Sequence, residues 1–124
     1  MLKETLLYLG ALLPFIWGVA HLFPTRSVVS GFGSISLDNQ RIITMEWIIE
    51  GITLIFLGVL VASVTIVDSG SAVSLLIYML CSALLFILAA VSVFTGFKVN
   101  FFPFKICPFL FTAAATSVLT GALL

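Results

Sequence analysis

Glu46 and Glu50 stand one helical turn apart inside a run, Ile42 to Val67, whose other residues are mostly apolar. A carboxylate near the centre of a bilayer costs about 2.5–3.5 kcal/mol on insertion scales, so acids in such a run mark a functional site by default. The i, i+4 spacing puts both on one helix face, and Thr53 continues that face. Two ionised carboxylates there repel. In a low dielectric they titrate as a coupled pair, unless a cation beside them lets one stay charged.

His21 is the candidate neighbour. It ends an earlier apolar run, Phe15-Ile16-Trp17-Gly18-Val19-Ala20-His21-Leu22-Phe23-Pro24. If the two runs form antiparallel helices, a rise of about 1.5 Å per residue puts His21 near Glu46 and Trp17 near Glu50. Trp17 and His21 are also i, i+4, so a His-Trp face meets a Glu-Glu face, and Gly18 lets the backbones approach. Trp47 borders the same site. Glu46, Glu50, His21, Trp17, Trp47 and Thr53 are therefore the candidate ligand-binding residues, with Glu50 and Thr53 as floor. Two plainer roles stay open: Glu46 as a headgroup-level charge, and His21 as a cap on the carbonyls ending its helix.

Two Glu and one His match the donor types of a zinc or iron site. The chain lacks the His-Glu-x-x-His and Glu-x-x-His spacings that make such a site specific, so no metal is expected. Cys81 and Cys107 fall at different depths, too far apart for the Cα separation below about 7 Å of a disulfide. They read as packing residues.

The elements that must position these groups follow from composition. The chain has 124 residues, 62% hydrophobic and 8% charged, with a formal net charge of zero. Soluble domains carry about 25% charged residues, and no basic footprint for nucleic acid is present. A membrane span takes about 20 apolar residues. Four segments qualify within a single domain, residues 5–23, 42–67, 72–97 and 106–124. The expected fold class is all-α, a polytopic membrane protein built as an antiparallel four-helix bundle. Trp17, His21 and Pro24 favour a retained first span over a cleaved leader. Asp38 is a candidate cap for the second.

The first and third links hold Arg26, Arg41, Lys98 and Lys105, against Lys3 alone on the other side. That asymmetry puts both links in the cytoplasm and both termini outside. It also suggests a basic rim around the acidic site. Phe101, Phe102 and Phe104 in the third link read first as an interfacial anchor and second as the lid of a lipophilic pocket. Small residues in Thr112-Ala113-Ala114-Ala115-Thr116-Ser117 favour close helix packing.

The segment Gly18-Val19-Ala20-His21-Leu22-Phe23-Pro24, closing an opening apolar span, resembles the small four-helix membrane proteins of the DoxX-like group. The resemblance covers the helix count and this segment. It implies a four-helix bundle and, for some members, association with quinone-linked oxidoreduction. The acidic pair maps onto no diagnostic motif, so no catalytic residue carries over and the cofactor is open. Three functions fit the residues. The first is a module binding a small lipophilic or cationic ligand. The second is an enzyme moving protons between Glu and His on a lipophilic substrate. The third is an accessory or assembly subunit whose acids pair with basic residues of a membrane partner; a homo-oligomer also fits. Binding is the favoured one.

Overall fold

The computed structural model describes residues 1–124. Long apolar runs in lipid must satisfy every backbone group internally, which leaves the helix as their local solution. The chain accordingly folds into α1 (Leu2–Leu22), a short α2 (Thr25–Ser30), α3 (Leu37–Asp68), α4 (Ala72–Phe94), a 3-10 turn (Gly96–Lys98) and α5 (Phe102–Leu123). The four long helices are each long and apolar enough to cross a membrane. Their outer faces expose large side chains such as Phe56, Ile66, Leu80, Ile87 and Phe109. Apolar exposure on that scale is unstable in water and suits lipid. This is an all-α, multi-pass integral membrane protein.

Several boundaries differ from the sequence expectation, α1 starting at Leu2 rather than residue 5 and α4 ending at Phe94 rather than residue 97. The cap of α3 is Ser36, whose hydroxyl accepts the Asn39 N–H at 3.2 Å. Asp38 lies inside the first turn, where it suits the helix dipole and meets Arg41 at 3.7 Å. The first link is partly helical, with α2 lying against α3 and Val29 buried. Finally, α5 starts four residues early, at Phe102, because Pro103 is favoured in a first turn where its missing N–H costs nothing.

Packing is uneven around the bundle. α1 is sandwiched between α3 and α5, and α4 packs on α5. Glycine makes the α1 contacts possible. A Cβ on Gly18 would lie 2.6 Å from the Gly51 carbonyl oxygen, and one on Gly58 would lie 2.5 Å from that of Ala11. The core fills the space between with Leu7, Leu54, Val61, Tyr78, Leu85, Phe111 and Val118.

α3 and α4 meet mainly beside their connecting turn. There the Tyr78 and Thr65 hydroxyls are 3.0 Å apart and the Ser74 hydroxyl donates to the Asp68 carbonyl at 2.6 Å. Away from the turn the two helices share few contacts. The space so left, at the end carrying the first and third links, is walled by all four long helices.

α3 has 32 residues, about 48 Å at the usual rise, against a hydrocarbon core of about 30 Å. With Asp68 at one boundary, the roughly 20 residues needed to cross run back to about Ile49.

Candidate functional site

The space between the helices is a cavity of about 490 Å³. Ligand sites span about 300–1,000 Å³ and combine apolar walls with a few polar groups. α1 contributes Trp17, Ala20 and His21, and α3 contributes Trp47 and Glu50. α4 supplies Leu88, Val91 and Ser92, with Thr95 just past its end; α5 supplies Phe104, Cys107 and Phe111. Pro24, Gly96, Phe101 and Pro103 form the mouth.

His21, Trp47 and Glu50 make the centre of the wall. The Trp47 indole N–H donates to the His21 carbonyl at 2.8 Å, satisfying one of the acceptors that a helix end leaves free. This bond clamps the indole against the imidazole, with ring centroids 3.8 Å apart and planes 16° apart. Phe104 meets the same indole edge-on at 5.9 Å. The stack buries His21, whose side chain is only 8% exposed, and brings its Nε2 to 3.5 Å from the Glu50 carboxylate. That Nε2 is buried with no hydrogen-bond partner.

The polar groups on α4 and α5 are otherwise occupied. Ser92 donates to the Leu88 carbonyl at 2.7 Å, and Thr95 to that of Val91 at 2.7 Å. The Cys107 thiol lies 3.6 Å from the Pro103 carbonyl. The cavity side chains left without a hydrogen bond are thus the Glu50 carboxylate, the His21 Nε2 and the Trp17 indole N–H. No group of three metal-ligating side chains assembles anywhere in the chain, and Cys81 and Cys107 are both free thiols.

Of the six candidates, the structure brings four to the cavity: Trp17, His21, Trp47 and Glu50. Glu46 and Thr53 stay out. Buried Gly51, Leu54, Gly58 and Val61 define the inner face of α3. At 100° per residue Glu50 lies about 60° from the centre of that face, and Glu46 and Thr53 about 100–120° from it. Glu46 occupies a shallow groove formed by α3 alone, with Ile42, Ile43 and Ile49, which Trp47 and Glu50 also border from the cavity side. Thr53 is exposed and donates to its own helix, to the Ile49 carbonyl at 2.8 Å. The floor is therefore apolar, formed toward the bundle centre by Leu88 and Phe111.

Two further expectations need correction. Counting from the link puts His21 near Glu46, whereas its ring stacks on Trp47 and its Nε2 reaches toward Glu50, slightly deeper along α3. The close approach of Gly18 to Gly51 sets that register, and the intervening link is too long to fix it. The basic rim does not form either. Arg26 and Lys98 are exposed, Arg41 is engaged with Asp38, and Lys105 is half-buried on α5, but none of them lines the cavity. The mouth is aromatic and proline-rich instead. Phe101 and Phe104 join the wall while Phe102 is exposed, so the third link combines lining with anchoring. The α4 wall carried no sequence signal, since Leu88, Val91 and Ser92 look like any span residues.

No family model, curated protein or solved structure matches this chain.

Proposed function

We propose that this integral membrane protein is a binding module for a small lipophilic or cationic ligand, held in the cavity between its four spans. The observation that carries this reading is the His21 Nε2, buried without a partner beside the Glu50 carboxylate. An unpaired buried polar atom costs about 1–3 kcal/mol, and a ligand that bonds to it recovers that cost. The apolar, aromatic remainder of the wall supplies affinity for a lipophilic body.

A screen of lipophilic amines, quinones and sterols by thermal unfolding tests this. At least one class should stabilise the wild type, by about 2.7 kcal/mol at a hundredfold excess over Kd. Ser92→Phe, which puts a ring into the cavity, should remove the effect while leaving the helices intact. Stabilisation that survives Ser92→Phe points to binding on the outer surface instead.

The second reading is proton-transfer catalysis on a bound lipophilic substrate by the same pair, favoured by the 3.5 Å gap between His21 and Glu50. It is distinguished by chemical change in the ligand after incubation. The likeness of the Gly18–Pro24 segment to DoxX-like proteins is compatible with either.

We infer that the first and third links, and hence the mouth, face the cytoplasm, from the four basic residues they carry against Lys3 at the other end. Single cysteines at Ser34 and Ser69, in a chain whose own cysteines are replaced, should react from opposite sides. Labelling of Ser34→Cys by an impermeant maleimide on intact cells, with Ser69→Cys protected, reverses the orientation.

A further inference from the structure

We propose that the ligand is a protonated lipophilic amine bearing at least two N–H groups, its ammonium set between the Glu50 carboxylate and the His21 Nε2. This rests on the cavity being a ligand site and adds the chemical class.

Charge supports it first. Glu50 has no Lys or Arg within 4.0 Å, its one charge-capable neighbour being His21. The four basic residues near this end line no part of the cavity. The wall thus offers a half-exposed carboxylate and no fixed cation, an arrangement that repels anions and favours a cation beside it. Four aromatic rings, Trp17, Phe101, Phe104 and Phe111, line the same cavity, and a ring that turns its negative face to a cation attracts it for a separate reason.

Hydrogen bonding narrows the class further. In its neutral Nδ1–H tautomer, His21 presents Nε2 as a bare acceptor, and that atom is buried and unpartnered. The Glu50 oxygen lies 3.5 Å from it, beyond a good hydrogen bond. A primary or secondary ammonium beside both can donate one N–H to each. A quaternary ammonium answers the charge but leaves Nε2 orphaned. An alcohol has one proton to give and leaves the carboxylate uncompensated.

Three probes with one tail separate these cases: 4-phenylbutylamine, 4-phenylbutyltrimethylammonium and 4-phenylbutan-1-ol. Each is titrated into the wild type in phosphatidylcholine nanodiscs, read by tryptophan emission. The amine should bind at least about tenfold tighter than either of the others, the scale of one hydrogen bond to a charged group. Glu50→Gln should weaken the amine by about tenfold or more and leave the alcohol unchanged. Asp68→Asn, at the far end, should alter neither. Equal or tighter binding of the alcohol in the wild type overturns the amine assignment while leaving a ligand site standing, and needs no variant to fold. Unchanged amine affinity in folded Glu50→Gln also overturns it. Failure of all three probes to bind overturns the amine assignment and counts against the ligand site as well.

Discussion

Trp47→Ala should cost about 3 kcal/mol or more of stability, the range for deleting a large packed aromatic, and should abolish ligand binding. One side chain joins three elements here. Its indole N–H holds the end of α1 through the His21 carbonyl, its face stacks on the imidazole, and it makes a T-shaped contact with Phe104 of α5. Without it, His21 loses the surface that buries it, and water reaches Nε2. Trp47→Phe separates the contributions. It keeps most of the apolar body but not the donor, so its loss should fall near the roughly 1 kcal/mol of one hydrogen bond. Reversible unfolding in mixed micelles, followed by circular dichroism, gives both numbers. A loss below about 1 kcal/mol for Trp47→Ala means that the clamp is not what secures the link end of the bundle, since even the hydrogen bond alone is of that size.

Gly18→Leu should be comparably damaging, through the opposite physics. A Cβ there meets the Gly51 carbonyl oxygen at 2.6 Å and the Ile55 amide nitrogen at 2.8 Å. Both are backbone atoms of α3 and cannot rotate away. The two helices must separate, and overpacking of this kind costs about 1–3 kcal/mol or more. Separation also moves His21 away from Trp47, so the stacked pair should be lost along with stability. Gly70→Ala is the control. A Cβ there meets only the Asp68 carboxylate, at 3.5 Å, and should be nearly neutral. Wild-type unfolding for Gly18→Leu would show that α1 and α3 pack less closely than their glycines imply.

The parts of this site that could be read from sequence are those where one residue is chemically out of place. An acid at position 50 and an imidazole at 21 stand out against aliphatic neighbours, and both reach the cavity. Helix number and order follow from long apolar runs, because lipid permits few alternatives. What sequence could not supply is azimuth and register. Glu46, Glu50 and Thr53 share a face by spacing alone, yet the inner face of α3 is set by Gly51, Leu54 and Gly58, and only Glu50 lies close enough to its edge. Counting from the link set His21 against Glu46 when it meets Trp47 and Glu50, because the glycine contact and not the link fixes how α1 and α3 slide. The basic residues share a membrane side with the site without sharing its lining. Depth follows from hydropathy, whereas which residues share a cavity follows from packing.

The measurement that bears most directly on the His21–Trp47–Glu50 cavity is intrinsic fluorescence as a function of pH. Trp17 and Trp47 are the only tryptophans, and both line the cavity. An imidazole stacked 3.8 Å from the Trp47 ring should quench its emission on becoming cationic, so emission should fall as the pH is lowered through the titration. Glu50→Gln removes the one carboxylate within 4.0 Å of His21 and should move or abolish that transition while preserving the fold. Asp68→Asn at the opposite end should leave it unchanged. A flat emission profile in the wild type, or a transition indifferent to Glu50→Gln, would contradict a shared site of tryptophan, histidine and carboxylate.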